Sequence, residues 1–95
     1  MIDAPPEPVA VAVQADPGRL YASAVADRLA GRPAEAVTKL EQVLAMRPDD
    51  VDARLNLGLA LLALGRLEEA EAALLAVTRQ TPDYTDAWMG LARVE

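Results

Sequence analysis

Two acidic runs hold the densest group of potential metal ligands in this 95-residue chain: Asp49, Asp50 and Asp52, and Glu68, Glu69 and Glu71. Three carboxylates within four positions are the donors a hard cation such as calcium or magnesium takes. Acids also gather where a helix begins, because they complement its exposed N–H groups and dipole. Both runs fall at expected helix starts, so the second reading is adopted and no metal site is expected. Ser23 is a nucleophile with nothing to activate it, since the chain has no histidine and no cysteine. That absence removes the commonest general base, the commonest metal ligand, all thiol chemistry and any Cys-based zinc site. Lys39 reads as a solvated helix residue, and Gly31 and Gly65 stand alone rather than in a phosphate-cradling loop. No catalytic residue and no cofactor is expected, and the chain is not read as an enzyme.

Composition narrows the partners. The net charge is −6. The nine basic residues are scattered singly, which disfavours a nucleic-acid groove. No apolar run approaches the roughly 18 residues a membrane helix needs, so no membrane insertion is expected. Heavy Ala and Leu use, with no Phe, suits close helix–helix packing better than a sheet. The preference for Arg over Lys points to a GC-rich bacterial genome, and so to a bacterial cytoplasm or periplasm, without deciding between them.

The elements can be read from their start and stop signals. Residues 1–16 carry Ala4-Pro5-Pro6-Glu7-Pro8, which cannot continue a helix, then alternate Val and Ala; they are read as a disordered or extended leader. Asp16 and Pro17 open a first helix that stops at Gly31. Pro33 opens a second, with Val37, Leu40, Val43 and Leu44 on one face, ending before Pro48. Asp49 or Asp50 caps a third, about 51–64, ended by Gly65. A fourth runs over about 67–79 and stops before Pro82, and Asp83 caps a fifth over about 85–95.

These signals recur. Shifted by 34 residues, the stretch Gly31 to Leu57 matches itself at 11 of 27 positions, from Gly31-Arg32 on Gly65-Arg66 through Pro48-Asp49 on Pro82-Asp83 to Leu57 on Leu91. A fixed period of this length marks a repeat architecture, in which each unit buries its apolar face against its neighbours. Within a period stand Leu57-Gly58, Leu61, Ala70, Leu74 and Pro82, and Trp88 followed by Leu91-Ala92 begins the next. This pattern resembles the tetratricopeptide repeat (TPR), over about residues 17–95. The resemblance implies an all-α fold, a helical-hairpin right-handed solenoid or alpha-alpha superhelix of five helices: repeat 1 at 17–50, repeat 2 at 51–84 and the first helix of a truncated repeat 3 at 85–95. Gly58, Ala24 and Ala92, with Ala36 and Ala70, take the slots where helices come closest. Ser23 and Asp27 replace large apolar residues in the first unit, which is read as a polar cap facing water.

The resemblance also implies a concave face built from the first helix of each hairpin. Residue by residue it would hold Tyr21, Val25 and Arg28, then Asp52, Leu55, Asn56, Leu59 and Leu62, then Asp86, Met89 and Arg93. The third helix independently has more leucine than one core face needs. Leu57, Leu61 and Leu64 can serve the hairpin core, which leaves Leu55, Leu59 and Leu62 as a second stripe. Two readings stand: the stripe packs on neighbouring helices, or it forms an apolar groove for a peptide or amphipathic helix. A known TPR sub-type clamps a peptide's terminal carboxylate with Lys, Asn and Arg; only Asn56 matches, and Asp52 and Asp86 would repel such a ligand.

The leading expectation is a non-catalytic protein-binding module within a larger bacterial protein or complex, with a protein or peptide partner. Different in kind is self-assembly. Trp88, Leu91 and Val94 on the fifth helix lack a covering helix, as in a piece of a longer array or in a homodimer that buries this end. In a third reading the unit is the scaffold domain ahead of an enzyme or an outer-membrane barrel.

Overall fold

The computed structural model describes residues 16–94. The leader, apart from Asp16, and Glu95 lie outside them. Five helices follow in order: α1 (Pro17–Leu29), α2 (Pro33–Met46), α3 (Val51–Ala63), α4 (Leu67–Gln80) and α5 (Thr85–Val94). Among the described residues none is long and apolar enough to cross a membrane. Asp16 accepts hydrogen bonds from the Gly18 and Arg19 amides and Asp50 from that of Ala53, each replacing a partner the first turn lacks.

The hairpin turns use one device twice. Gly31 and Gly65 adopt φ of 82° and 76°, a left-handed conformation that glycine takes without strain. Each lets the next residue's amide reach back to satisfy a free carbonyl: Arg32 N donates to Asp27 O at 2.8 Å, and Arg66 N to Leu61 O at 3.0 Å. This closure folds α1 onto α2 and α3 onto α4 as antiparallel pairs. The hairpins stack through α2 on α3, and α5 continues the series against α4; α1 also meets α3, and α3 meets α5. The arrangement is an all-helical solenoid of hairpins.

The core forms two clusters along the stack. In the first, Ala24, Ala36, Val37, Leu40 and Val43 of hairpin 1 meet Ala53, Ala60 and Leu61 of α3 and Ala70 of α4. In the second, Leu55 joins Leu74, Val77 and Ala87. Gly58 is a close-approach point: a Cβ there would fall 2.8 Å from Leu74 Cγ. Three expectations need correction. Leu64 caps α3 beyond the covering helix and is 37% exposed rather than in the core. Ala92 is exposed, because no described helix packs on it. Gly90 is the buried small residue of α5, with Leu74 and Leu59 against it.

The first unit also departs from the polar cap expected of it. Its polar residues turn inward: Asp27 is only 7% exposed. Lys39 Nζ donates to Asp27 Oδ2 and to Ser23 Oγ, both at 2.6 Å, and Arg32 Nη2 donates to Asp27 Oδ1 at 3.2 Å. Lys39 is therefore a half-buried cross-helix ion-pair partner rather than a freely solvated residue. The Lys39 hydrogen bond, aided by Arg32, holds the Asp27 carboxyl below its ordinary range against the opposing effect of burial.

Candidate functional site

The odd-numbered helices lie side by side, and a ladder of side chains crosses from one to the next. Asn56 on α3 is its centre. Its amide nitrogen donates to Tyr21 OH on α1 and to the Asp52 carbonyl one turn back, both at 3.0 Å. Its amide oxygen accepts from Arg28 Nε, again at 3.0 Å. Asn56 is 6% exposed, so these bonds satisfy a buried amide while tying α1 to α3. Further along, Tyr84, at the junction of α4 and α5, donates its hydroxyl to Asp52 Oδ1. That bond and partial burial push the Tyr84 phenol up to about 12. The Tyr21 phenol is raised by burial, then by the charges of Asp52 and Asp50.

Four of the residues assigned to this face from sequence, Tyr21, Arg28, Asn56 and Asp52, are thus joined in one hydrogen-bonded group. The apolar ones separate. Leu55 is only 4% exposed and packs with Leu74, Val77 and Ala87, so it supports the face from beneath and cannot line it. Leu59 and Leu62 are half-buried and packed on the core, Leu59 facing Gly90. To that extent the second leucine stripe serves neighbouring helices. Val25 is half-buried and belongs to neither core cluster, so it is less committed to packing than the three leucines. Met89 is 60% exposed. It shares a repeat position with Tyr21, which meets Asn56 of α3, and Leu55, which packs with Ala87 of α5; among the described residues no further odd helix follows to cover Met89.

Tyr84 was not assigned to the face from sequence. One period earlier its place is held by Asp50, a helix cap. A tyrosine in a capping slot was the available signal that this position does something else. The acidic runs have individual tasks: Asp50 caps α3, Asp52 accepts from Tyr84, and Glu69 forms a two-point pair with Arg66 at 2.7 and 2.8 Å.

At the far end Trp88 is 51% exposed, its indole N–H donating to the Pro82 carbonyl at 2.7 Å. Leu91 and Val94 are only half-buried, yet they pack inward on the second cluster, so of the three residues expected at an association surface Trp88 is the most open.

A family model described as the tetratricopeptide repeat matches residues 28–94. No curated protein matches the chain.

Proposed function

The chain belongs to the tetratricopeptide repeat family, generally a family of protein–protein interaction modules, and from that premise we propose that it binds a peptide or amphipathic helix across α1 and α3 without catalysis. The observation that carries the proposal is the Asn56-centred ladder. Asn56 holds the Tyr21 and Arg28 side chains, and Tyr84 holds the Asp52 carboxylate, beside the loosely committed Val25 and the half-buried Leu59 and Leu62. Binding faces combine such fixed polar groups, which orient a ligand, with apolar surface that supplies the affinity. Asp52 and the Tyr84 hydroxyl give one edge an acceptor-rich character suited to a basic or amide-bearing group.

Peptides selected from a random library on the immobilised chain provide the test. Val25→Glu and Asp52→Lys change this face at positions outside both cores, so the far-ultraviolet circular dichroism should stay that of the parent. Loss of binding in both variants is the expected result. Selected peptides that bind both as tightly as the parent would place recognition elsewhere. Leu59→Glu is a poorer probe, because Leu59 also supports α5.

A further inference from the structure

Arg19, Arg32, Lys39 and Arg66 each pair with a carboxylate. Arg28 does not among the described residues, although acids lie on its own face. Its Nε donates to the Asn56 amide oxygen at 3.0 Å, and that buried amide is held in turn by its bonds to Tyr21 and the Asp52 carbonyl. Arg28 itself is half-buried. A guanidinium fixed through Nε presents its two Nη groups as a flat fork, the shape that grips a carboxylate at two points. Among the described residues nothing accepts a hydrogen bond from that fork. Asp52 is the opposite case, one turn of α3 back from Asn56. One of its oxygens accepts from the Tyr84 hydroxyl, and the side chain is exposed. Asp86, in the same slot one repeat on, is exposed as well. Neither meets a cation among the described residues. Both signs of charge border one patch: burial, then Asp52 and Asp50, raise the Tyr21 phenol, while Asn56 and Arg28 lower it. The helix dipole accounts for an acid at the start of α3 and an arginine at the end of α1. It does not account for a buried amide and a tyrosine that hold the two charges in separate places.

Resting on the reading of α1 and α3 as a binding face, we infer that Arg28 and Asp52 set the charge class of its ligand: a segment with an acidic side chain for the Arg28 fork and a Lys or Arg for Asp52, about one helical turn apart, beside apolar residues that meet Val25 and Leu59. Charge complementarity selects this occupant. A uniformly acidic segment would meet Asp52 and Asp86, and a uniformly basic one would meet Arg28. A wholly apolar segment would shield both charges from water and pair neither.

The library selection on the chain supplies the probes, remade with acetylated and amidated ends so that no terminal charge stands in for a side chain. An acid and a base should recur among them at a fixed spacing. Replacing the acid of such a peptide by glutamine should weaken binding to the parent chain about three- to tenfold, and added salt should weaken it too. Neither measurement needs a variant that might misfold. Arg28→Glu should weaken binding, and exchanging the peptide's acid for lysine should restore it. Asp52→Lys should be rescued in the same way by an acid in place of the peptide's base. Lost packing would not be repaired by an exchange of charge. Peptides that fail on Val25→Glu, yet carry no paired charges or show neither salt dependence nor rescue, would overturn the charge rule and leave the binding face standing. Selection of no peptide, or of peptides indifferent to Val25→Glu, would overturn the binding face and this inference with it.

Discussion

The two hairpins superpose in sequence slot for slot, yet they close by different chemistry. Between α3 and α4 the facing positions are Leu57, Leu61 and Ala73, apolar throughout. Between α1 and α2 the same positions hold Ser23, Asp27 and Lys39, joined by hydrogen bonds of 2.6 Å and braced by Arg32. Arg66, the counterpart of Arg32, finds leucine where Asp27 would be and pairs with Glu69 instead. The residues around the central leucine differ in the same way. Leu74 lies between Gly58 and Gly90, whereas the positions that frame Leu40 hold Ala24 and Asn56. One backbone arrangement thus accepts an ion pair or a hydrocarbon contact in one slot, provided each buried group has its partner.

The largest test of this contrast is Leu74→Ala. Leu74 is fully buried, and its loss should cost about 2–5 kcal/mol in urea-denaturation stability. Leu40→Ala should fall in the same range but toward its lower end, because no glycine lets neighbouring helices press as closely on Leu40. Equal costs would mean that the glycines add nothing to packing.

Next comes Asp27→Leu, which copies hairpin 2 at one position and leaves the part-buried Lys39 without its carboxylate. The melting temperature should fall. Adding Lys39→Ala should restore most of the loss, giving a strong coupling in a double-mutant cycle. Additive losses would show that the ion pair is incidental. The same pair predicts a pH dependence. The folded Asp27 carboxyl is depressed below its ordinary value of 3.8, so its contribution is complete above that value and is lost as pH falls through the lower folded value. The Asp27→Leu/Lys39→Ala protein should lack that part of its acid sensitivity, read as melting temperature against pH.

Gly58→Ala should be milder, about 1–3 kcal/mol, since the new methyl group would meet Leu74 Cγ, which is not a free side-chain end. Alanine's better helix propensity offsets part of it. The reverse change at the corresponding position of hairpin 1, Ala24→Gly, removes a buried methyl group without relieving any clash and should also destabilise.

The smallest effect is optical. Tyr84, raised to about 12 by Asp52, should form its phenolate well above free tyrosine in an absorbance titration, and Asp52→Asn should move that step back toward the ordinary 10.0. Its stabilising contribution is complete below the ordinary value and fades as pH rises through the folded one.

The architecture was readable because its signals are local. The two stop glycines and the capping aspartates act within a few residues of chain, the 34-residue period repeats them, and the helix boundaries among the described residues lie within about two residues of those read from sequence. What was missed depends on rotation between helices. Asp27 and Lys39 are twelve positions apart on different helices, and only the angle at which α1 lies on α2 turns both inward. Leu55 and Leu59 share a stripe on a helical wheel, yet Leu55 is sealed by Ala87 of α5 and Leu59 is not. Ala92 and Leu64 satisfied the repeat pattern, but a slot is buried only where a covering helix passes over it. On the candidate face, residue types gave Tyr21, Arg28, Asn56 and Asp52 but not that Asn56 would bridge the others, nor that Tyr84 would join them.

Every helix in this stack touches only helices one or two places away along the chain. Structure can therefore begin to form at either hairpin, with loops of only a few residues to close, and folding should be fast for a chain of this size. It also means that opening need not be global. Amide exchange should be graded along the stack, quickest in α5, which among the described residues is covered on one side only, and slowest in α3, which has neighbours on both, so one hairpin can fray while the other keeps its protons.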